Sequence, residues 1–154
     1  MTTSGSRRLP GPTLEARRAL LSQPAGRDPE SLIAHSVNVF TAIGSPGYRL
    51  SPAEMRERAA ASIARASRPQ GSARQLLAIA ADGDRTPMLA RIQAPTQVIH
   101  GVLDPLVPVE SGRDLVRRIP GALGDFIEGM GHDLPQPLLG RISQGIASNV
   151  RRAG

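Results

Sequence analysis

Cysteine, lysine and tryptophan are absent from this 154-residue chain, and two Phe and one Tyr are its whole aromatic content. Without cysteine there are no disulfides, no thiolate metal ligands and no thiol nucleophile. With so few aromatics, any core is built from Ala, Leu, Ile and Val, and the stacking platforms that hold single-stranded nucleic acid are missing. No apolar run approaches the roughly 20 residues needed to cross a bilayer. The N-terminal MTTSGSRRLPGP lacks the apolar stretch of a secretory signal. No His, Asp or Glu cluster has metal-ligand spacing, so neither a metal nor another cofactor is expected. These absences predict a cytoplasmic protein with no membrane association.

What the chain does have is arginine, which supplies all of its net charge of +6. A basic balance raises the possibility of nucleic acid. The arginines, however, are scattered singly or as pairs (Arg7-Arg8, Arg17-Arg18, Arg117-Arg118, Arg151-Arg152), the distribution of solvated helix faces. No nucleic-acid partner is therefore expected. The length suits one domain.

Residues 1–12 are rich in Ser, Gly, Pro and Arg and read as irregular. Helix signals follow in series. Thr13 caps TLEARRALL. Asp28-Pro29-Glu30 places an N-cap, a first-turn proline and an acid at the positive end of a helix reaching Ile43. Gly44-Ser45-Pro46-Gly47 stops it. Ser51-Pro52-Ala53-Glu54 is a capping box for a helix to about Ala66. A third helix is predicted from Ser72 to Ala81, and Pro87 opens a last turn. These three helices are expected to pack through Leu32, Val37, Phe40, Ile63, Leu76 and Leu77. After Ala94-Pro95 the pattern changes to strand (Thr96 to His100), amphipathic helix (Val109 to Ile119), weaker strand (Ala122 to Gly129) and closing helix. The closing helix spaces Leu138, Ile142, Ile146 and Val150 four apart.

A strand–helix–strand unit usually makes parallel strands joined by a right-handed crossover. Parallel strands end on one sheet edge, where open α/β sheets bind their ligands. Asp104 follows the first strand in GVLDPLVP, and His132 follows the second in GMGHDLP. The topology thus carries a carboxylate and an imidazole to neighbouring loops, the geometry of an acid orienting a histidine base. Gly129 and Gly131 let the second loop bend tightly. Asp104 also fits a plain turn carboxylate capping the next helix, and His132 a surface loop histidine. His100 ends a strand and reads as packing, and His35 as structural. Asp133 points away if His132 faces the site. Met130 is expected to pack beneath the histidine, and Asp114, among Arg113, Arg117 and Arg118, to lie on a solvated face.

The segment APTQVIHGVLDPLVPVESGRDLVRRIPGA, with IEGMGHDLP after it, resembles the C-terminal portion of an α/β-hydrolase over residues 93–135. More weakly, VFTAIGSPGYRL and GDRTPMLARI are similar to bacterial esterases related to aclacinomycin methylesterase. The resemblance implies that Asp104 is the triad acid and His132 the general base of a carboxylic ester hydrolase. It further implies an α/β fold in which residues 13–92 form a helical cap and 93–154 the last two parallel strands with their helices. The substrate implied is a small-molecule ester.

In that family the triad runs Ser, Asp, His along the chain, with the serine in a G-x-S-x-G elbow between strand and helix. No serine here has that setting. Ser45 in Gly44-Ser45-Pro46-Gly47 follows a helix, and Pro46 has no N–H to lend to an oxyanion hole. The nucleophile is therefore expected outside this chain, and MTTSG resembles the tail of the strand that leads into the cap. A polypeptide carrying the N-terminal half would complete both triad and sheet, since two strands alone leave faces and an edge uncovered. Without it the chain is expected to be inactive. The competing readings are a non-catalytic remnant whose helices bind a partner and, as the weakest, a basic nucleic-acid-binding protein.

Overall fold

The computed structural model describes residues 3–66 and 69–154. Among the described residues, seven α-helices and two strands follow one another: α1 (Leu14–Leu21), α2 (Pro29–Ile43), α3 (Pro52–Arg65), α4 (Pro69–Asp82), α5 (Thr86–Leu89), β1 (Gln97–Gly101), α6 (Val109–Arg118), β2 (Leu123–Ile127) and α7 (Leu139–Arg151). Side-chain caps start the first three helices. The Thr13 hydroxyl accepts from the Ala16 N–H, and the Asp28 carboxylate accepts from Ser31. Ser51 and Glu54 cap each other reciprocally. Each cap satisfies amides that a helix N-terminus leaves without partners. The third predicted helix begins at Pro69, three residues before Ser72, because proline suits a first turn that needs no N–H. Met1 and Thr2, the start of the expected strand tail, lie outside the described residues; Thr3 to Gly5 form no strand.

The two strands pair in parallel, Gln97 opposite Leu123 through Gly101 opposite Ile127. Alternation along them builds two cores. Val98 joins Leu89, Leu115 and Ile119, while His100 faces Gly112 of α6. Ile99 points to the opposite side, where Ile127, Met130, Leu138 and Ile142 form the second cluster with Tyr48 beside it. On β2, Phe126 faces α6 with the Arg113 guanidinium 5.8 Å from its ring centre, and Asp125 turns to Arg141 of α7. A period of two thus sorts each strand between α6 and α7.

Two expectations fail. Leu76 and Leu77 are 36% and 70% exposed, so α4 does not pack through them. Of the residues spaced four apart, Leu138 just ahead of α7 and Ile142 on it are buried, while Ile146 and Val150 are open to solvent. A helical period marks one apolar face, but burial also needs a neighbour to cover it. Asp114 is buried rather than solvated, because its carboxylate accepts from Arg118 Nε at 2.8 Å, from Arg117 at 3.0 Å and from the Ser4 hydroxyl at 3.2 Å. Shielded by partners from two elements, the charge leaves water without going unpaired. That bond also ties the irregular N-terminal segment to α6.

Candidate functional site

Both strands end at the same edge, and the loops beyond them touch. The Val102 N–H donates to Ile127 O at 3.0 Å and the Leu103 N–H to Met130 O at 3.0 Å. Gly101 makes this approach possible: a side-chain carbon there would sit 2.6 Å from the Gly131 carbonyl oxygen and closer still to that of Met130. Backbone atoms cannot give way as a flexible side chain would, so the crossing needs glycine. Gly129, with φ +73, supplies the left-handed turn that brings the chain back after β2.

The loop after β1 points the Asp104 side chain inward, fully buried. Its Oδ1 accepts from the Leu106 and Val107 N–H groups at 2.9 and 2.8 Å. These bonds close a turn ahead of α6, whose own N-terminus at Pro108 has no side-chain cap. Asp104 is thus a turn carboxylate with one oxygen left for another partner. That oxygen, Oδ2, accepts from His132 Nδ1 at 2.8 Å across 28 positions of sequence. The His132 side chain is 25% exposed. With its Nδ1–H spent on Asp104, a neutral ring carries its free lone pair on Nε2, the arrangement of a base held by an acid.

His100 lies on the other side of the same carboxylate, 3.8 Å from Oδ2 and buried. Its Nε2–H donates to Val107 O at 2.8 Å, while Nδ1 has no partner among the described residues. Burial holds its pKa below the usual histidine range, against the opposing pull of Val107 and Asp104. A neutral ring on this side leaves the Asp104 charge to His132. His100 is packed against Gly112, where an added side-chain carbon would sit 2.7 Å from Nδ1.

Ser45 and Asp133 were weighed in the sequence only as poor rivals, and the structure gives them a joint place. The Ser45 hydroxyl donates to Asp133 Oδ1 and accepts the Gly131 N–H at 2.8 Å. Asp133 therefore points away from Asp104. Met130 is wholly buried under the loop. Beside Ser45 and Asp133, a cavity of about 350 Å³ opens between α2 and α3, lined by Val37, Phe40, Tyr48 and Met55. A larger one of about 530 Å³ lies by Val98 and Ile119, toward the start of β1 and away from the paired loops. Among the described residues, no group of three or more His, Asp or Glu could hold a metal ion. No helix among them is long and apolar enough to cross a membrane.

A parallel strand–helix–strand unit, helices on both faces and an acid–histidine pair at the carboxyl edge describe the C-terminal part of an α/β-hydrolase. Comparison with known proteins bears out the resemblance to α/β-hydrolases of the esterase type. It is 31% identical over 134 residues to rhodomycin D methylesterase DauP of Streptomyces sp. (strain C5), covering 87% of this chain and 45% of that protein. Rhodomycin D methylesterase DnrP of Streptomyces peucetius is 28% identical over the same shares. Among solved structures, a meta-cleavage product hydrolase from Pseudomonas fluorescens superposes on 98% of this chain and 54% of its own, with TM-score 0.69 and 20% identity. A thermophilic esterase from Thermogutta terrifontis covers 90% of this chain and 47% of its own, with TM-score 0.60 and 26% identity. The chain spans about half the length of the curated relatives it matches. No protein-family model matches it.

Proposed function

We propose that this chain is the acid–base half of a carboxylic ester hydrolase, in which Asp104 orients His132 and a serine from outside the chain is the nucleophile. The observation that carries the reading is the 2.8 Å bond from His132 Nδ1 to a buried carboxylate oxygen, made between the loops after two parallel strands. In such a site Nε2 of His132 takes the serine proton as the hydroxyl oxygen attacks the ester carbonyl, and Asp104 stabilises the imidazolium that forms. The same ring then returns the proton to the departing alkoxide. Water, deprotonated in turn by His132, releases the acid and frees the serine.

Ser45 is not offered as that serine. Its hydroxyl is already committed to Asp133 and Gly131, and Pro46 behind it has no N–H for an oxyanion. The apolar cavity beside it suits the hydrocarbon part of a small ester, and the esterase relatives support that substrate class. The alkoxide and its oxyanion donors would come from a polypeptide bearing the rest of the fold, with the elbow at the end of its strand.

The test is complementation. The purified chain, given an activated short-chain ester, is expected to show no turnover that depends on His132. Mixed with the elbow-bearing half of a related esterase, it should hydrolyse the ester, and His132→Ala should then reduce the rate about 10³-fold or more. His132-dependent turnover by the chain alone would overturn the assignment of the nucleophile to a second polypeptide.

A further inference from the structure

We propose that Ser45 and Asp133 are positioning residues for His132, a clasp that ties the histidine loop to the end of α2 and so fixes the ring on Asp104. The inference rests on the reading of His132 and Asp104 as a base and its acid. Three consecutive residues of the loop are anchored to two residues of the α2 terminus, Ile43 and Ser45. The Gly131 N–H donates to Ser45 Oγ at 2.8 Å, the His132 N–H donates to Ile43 O at 2.8 Å, and the Asp133 carboxylate accepts the Ser45 hydroxyl. A fourth bond, from the Gly47 N–H to Gly129 O at 2.9 Å, extends the seam.

The contact is backbone against backbone. A side-chain carbon on Gly47 would sit 2.8 Å from Gly129 Cα, and one on Gly131 would run into the Gly44 carbonyl, 2.9 Å from that of Ile43 as well. Ser45 is 3% exposed, and its hydroxyl uses its proton and a lone pair in opposite directions. Removing Asp133 leaves that proton without its acceptor and lets the hydroxyl turn. The Gly131 N–H then donates to an oxygen whose orientation is no longer fixed.

The acid does not share this dependence. Asp104 is held by Leu106 and Val107 within its own loop. The clasp therefore acts on the base alone, by orienting the peptide from which the imidazole projects. A merely structural pair would alter stability and leave the ring's tautomer as it is.

Nitrogen NMR of the ¹⁵N-labelled full chain, with the histidines neutral, reads that difference directly. In the native protein His132 should be almost wholly the Nδ1–H tautomer, as the bond to Asp104 requires. Asp133→Ala should raise the share of the Nε2–H tautomer by on the order of tenfold, with the Leu106 and Val107 amide signals unmoved. Ser45→Ala should do the same. Asp133→Asn should restore the native tautomer, because its amide oxygen still accepts from Ser45. A folded Asp133→Ala or Ser45→Ala chain that keeps the native tautomer overturns the clasp. A native chain that lacks the Nδ1–H tautomer overturns the acid–base pair itself, a distinct failure.

Discussion

Helices α1 to α3 and the β1–α6–β2–α7 unit are specified by different means. Each of the three helices starts at a side-chain cap, yet they bury little: Ala16 in α1, Ile43 in α2 and Ala59 in α3. Neither α6 nor α7 has a side-chain cap, yet their unit buries Val98, Val109, Leu115, Ile119, Ile127, Met130, Leu138 and Ile142. Caps act within one turn and define where a helix begins whatever surrounds it. Packing defines where an element lies relative to its neighbours, and most helical stability in proteins comes from that. The Asp104–His132 pair belongs to the packed unit, where a histidine is held within hydrogen-bond distance of a carboxylate. The capped helices reach the loops of the pair at the N-cap of α1, where the Thr13 N–H donates to Pro105 O at 2.9 Å, and at the end of α2, through Ile43 and Ser45.

Paired truncations test this contrast most strongly. Ile127 is 1% exposed between the sheet and α7, whereas Leu77 on α4 is 70% exposed. Ile127→Ala is expected to cost about 3 kcal/mol, through lost burial and the cavity left behind. Leu77→Ala should stay within about 0.5 kcal/mol of the native chain. Chemical denaturation followed by circular dichroism measures both. Comparable losses would mean that α4 is covered in solution and that the two regions are not built differently.

Acid should separate the regions next. Burial holds the His100 pKa below its ordinary 6.5. The unfolded chain therefore takes up a proton first as the pH falls. The stability that neutral His100 contributes is whole above 6.5 and declines below it, down to the folded pKa. In the capped helices the shifts have the same sign but act at lower pH. Hydrogen bonds from Ser31 hold Asp28 below its ordinary 3.8, and those from Ser51 hold Glu54 below 4.5. Their contribution is present above those values and is lost only as the pH falls through the lower folded ones. Between about pH 6 and 5, amide exchange should quicken at Ile127 while α3 is unaffected. His100→Gln should abolish that early step; an unchanged step would assign it to another group.

How much of this was legible in the sequence follows the same division. The starts of α1, α2 and α3 could be read because Thr13, Asp28 and Ser51 act on amides three residues away. The strands and α6 could be read from their periods, and the Asp104–His132 contact from the rule that parallel strands end together. Asp114 was misread because one of its partners, Ser4, lies 110 positions away. The clasp was missed for the same reason. Gly44-Ser45-Pro46-Gly47 reads as a helix stop, and nothing local says that its hydroxyl meets Asp133, 88 positions on. The apolar face of α4 was visible, but a sequence period cannot say whether anything lies against it.

The smallest expected effect isolates the cap itself. Ser51 Oγ accepts from the Glu54 N–H at 3.3 Å, and the Ser51 N–H donates to Glu54 Oε2 at 2.8 Å. Ser51→Ala removes the hydroxyl and leaves the backbone half of the box. Its cost to α3 should be about 1 kcal/mol. If α3 opens locally, that cost appears as roughly fivefold faster exchange of its first amides. The denaturation midpoint of the packed unit should not move, because α3 buries only Ala59 and contributes nothing to the two clusters about the sheet. Ser51→Asp, which keeps an oxygen acceptor at the N-cap, should exchange at the native rate. A midpoint that falls together with the α3 amides would join the capped helices and the sheet into one cooperative unit. The placement of His132 would then depend on the whole chain, and not on the end of α2 alone.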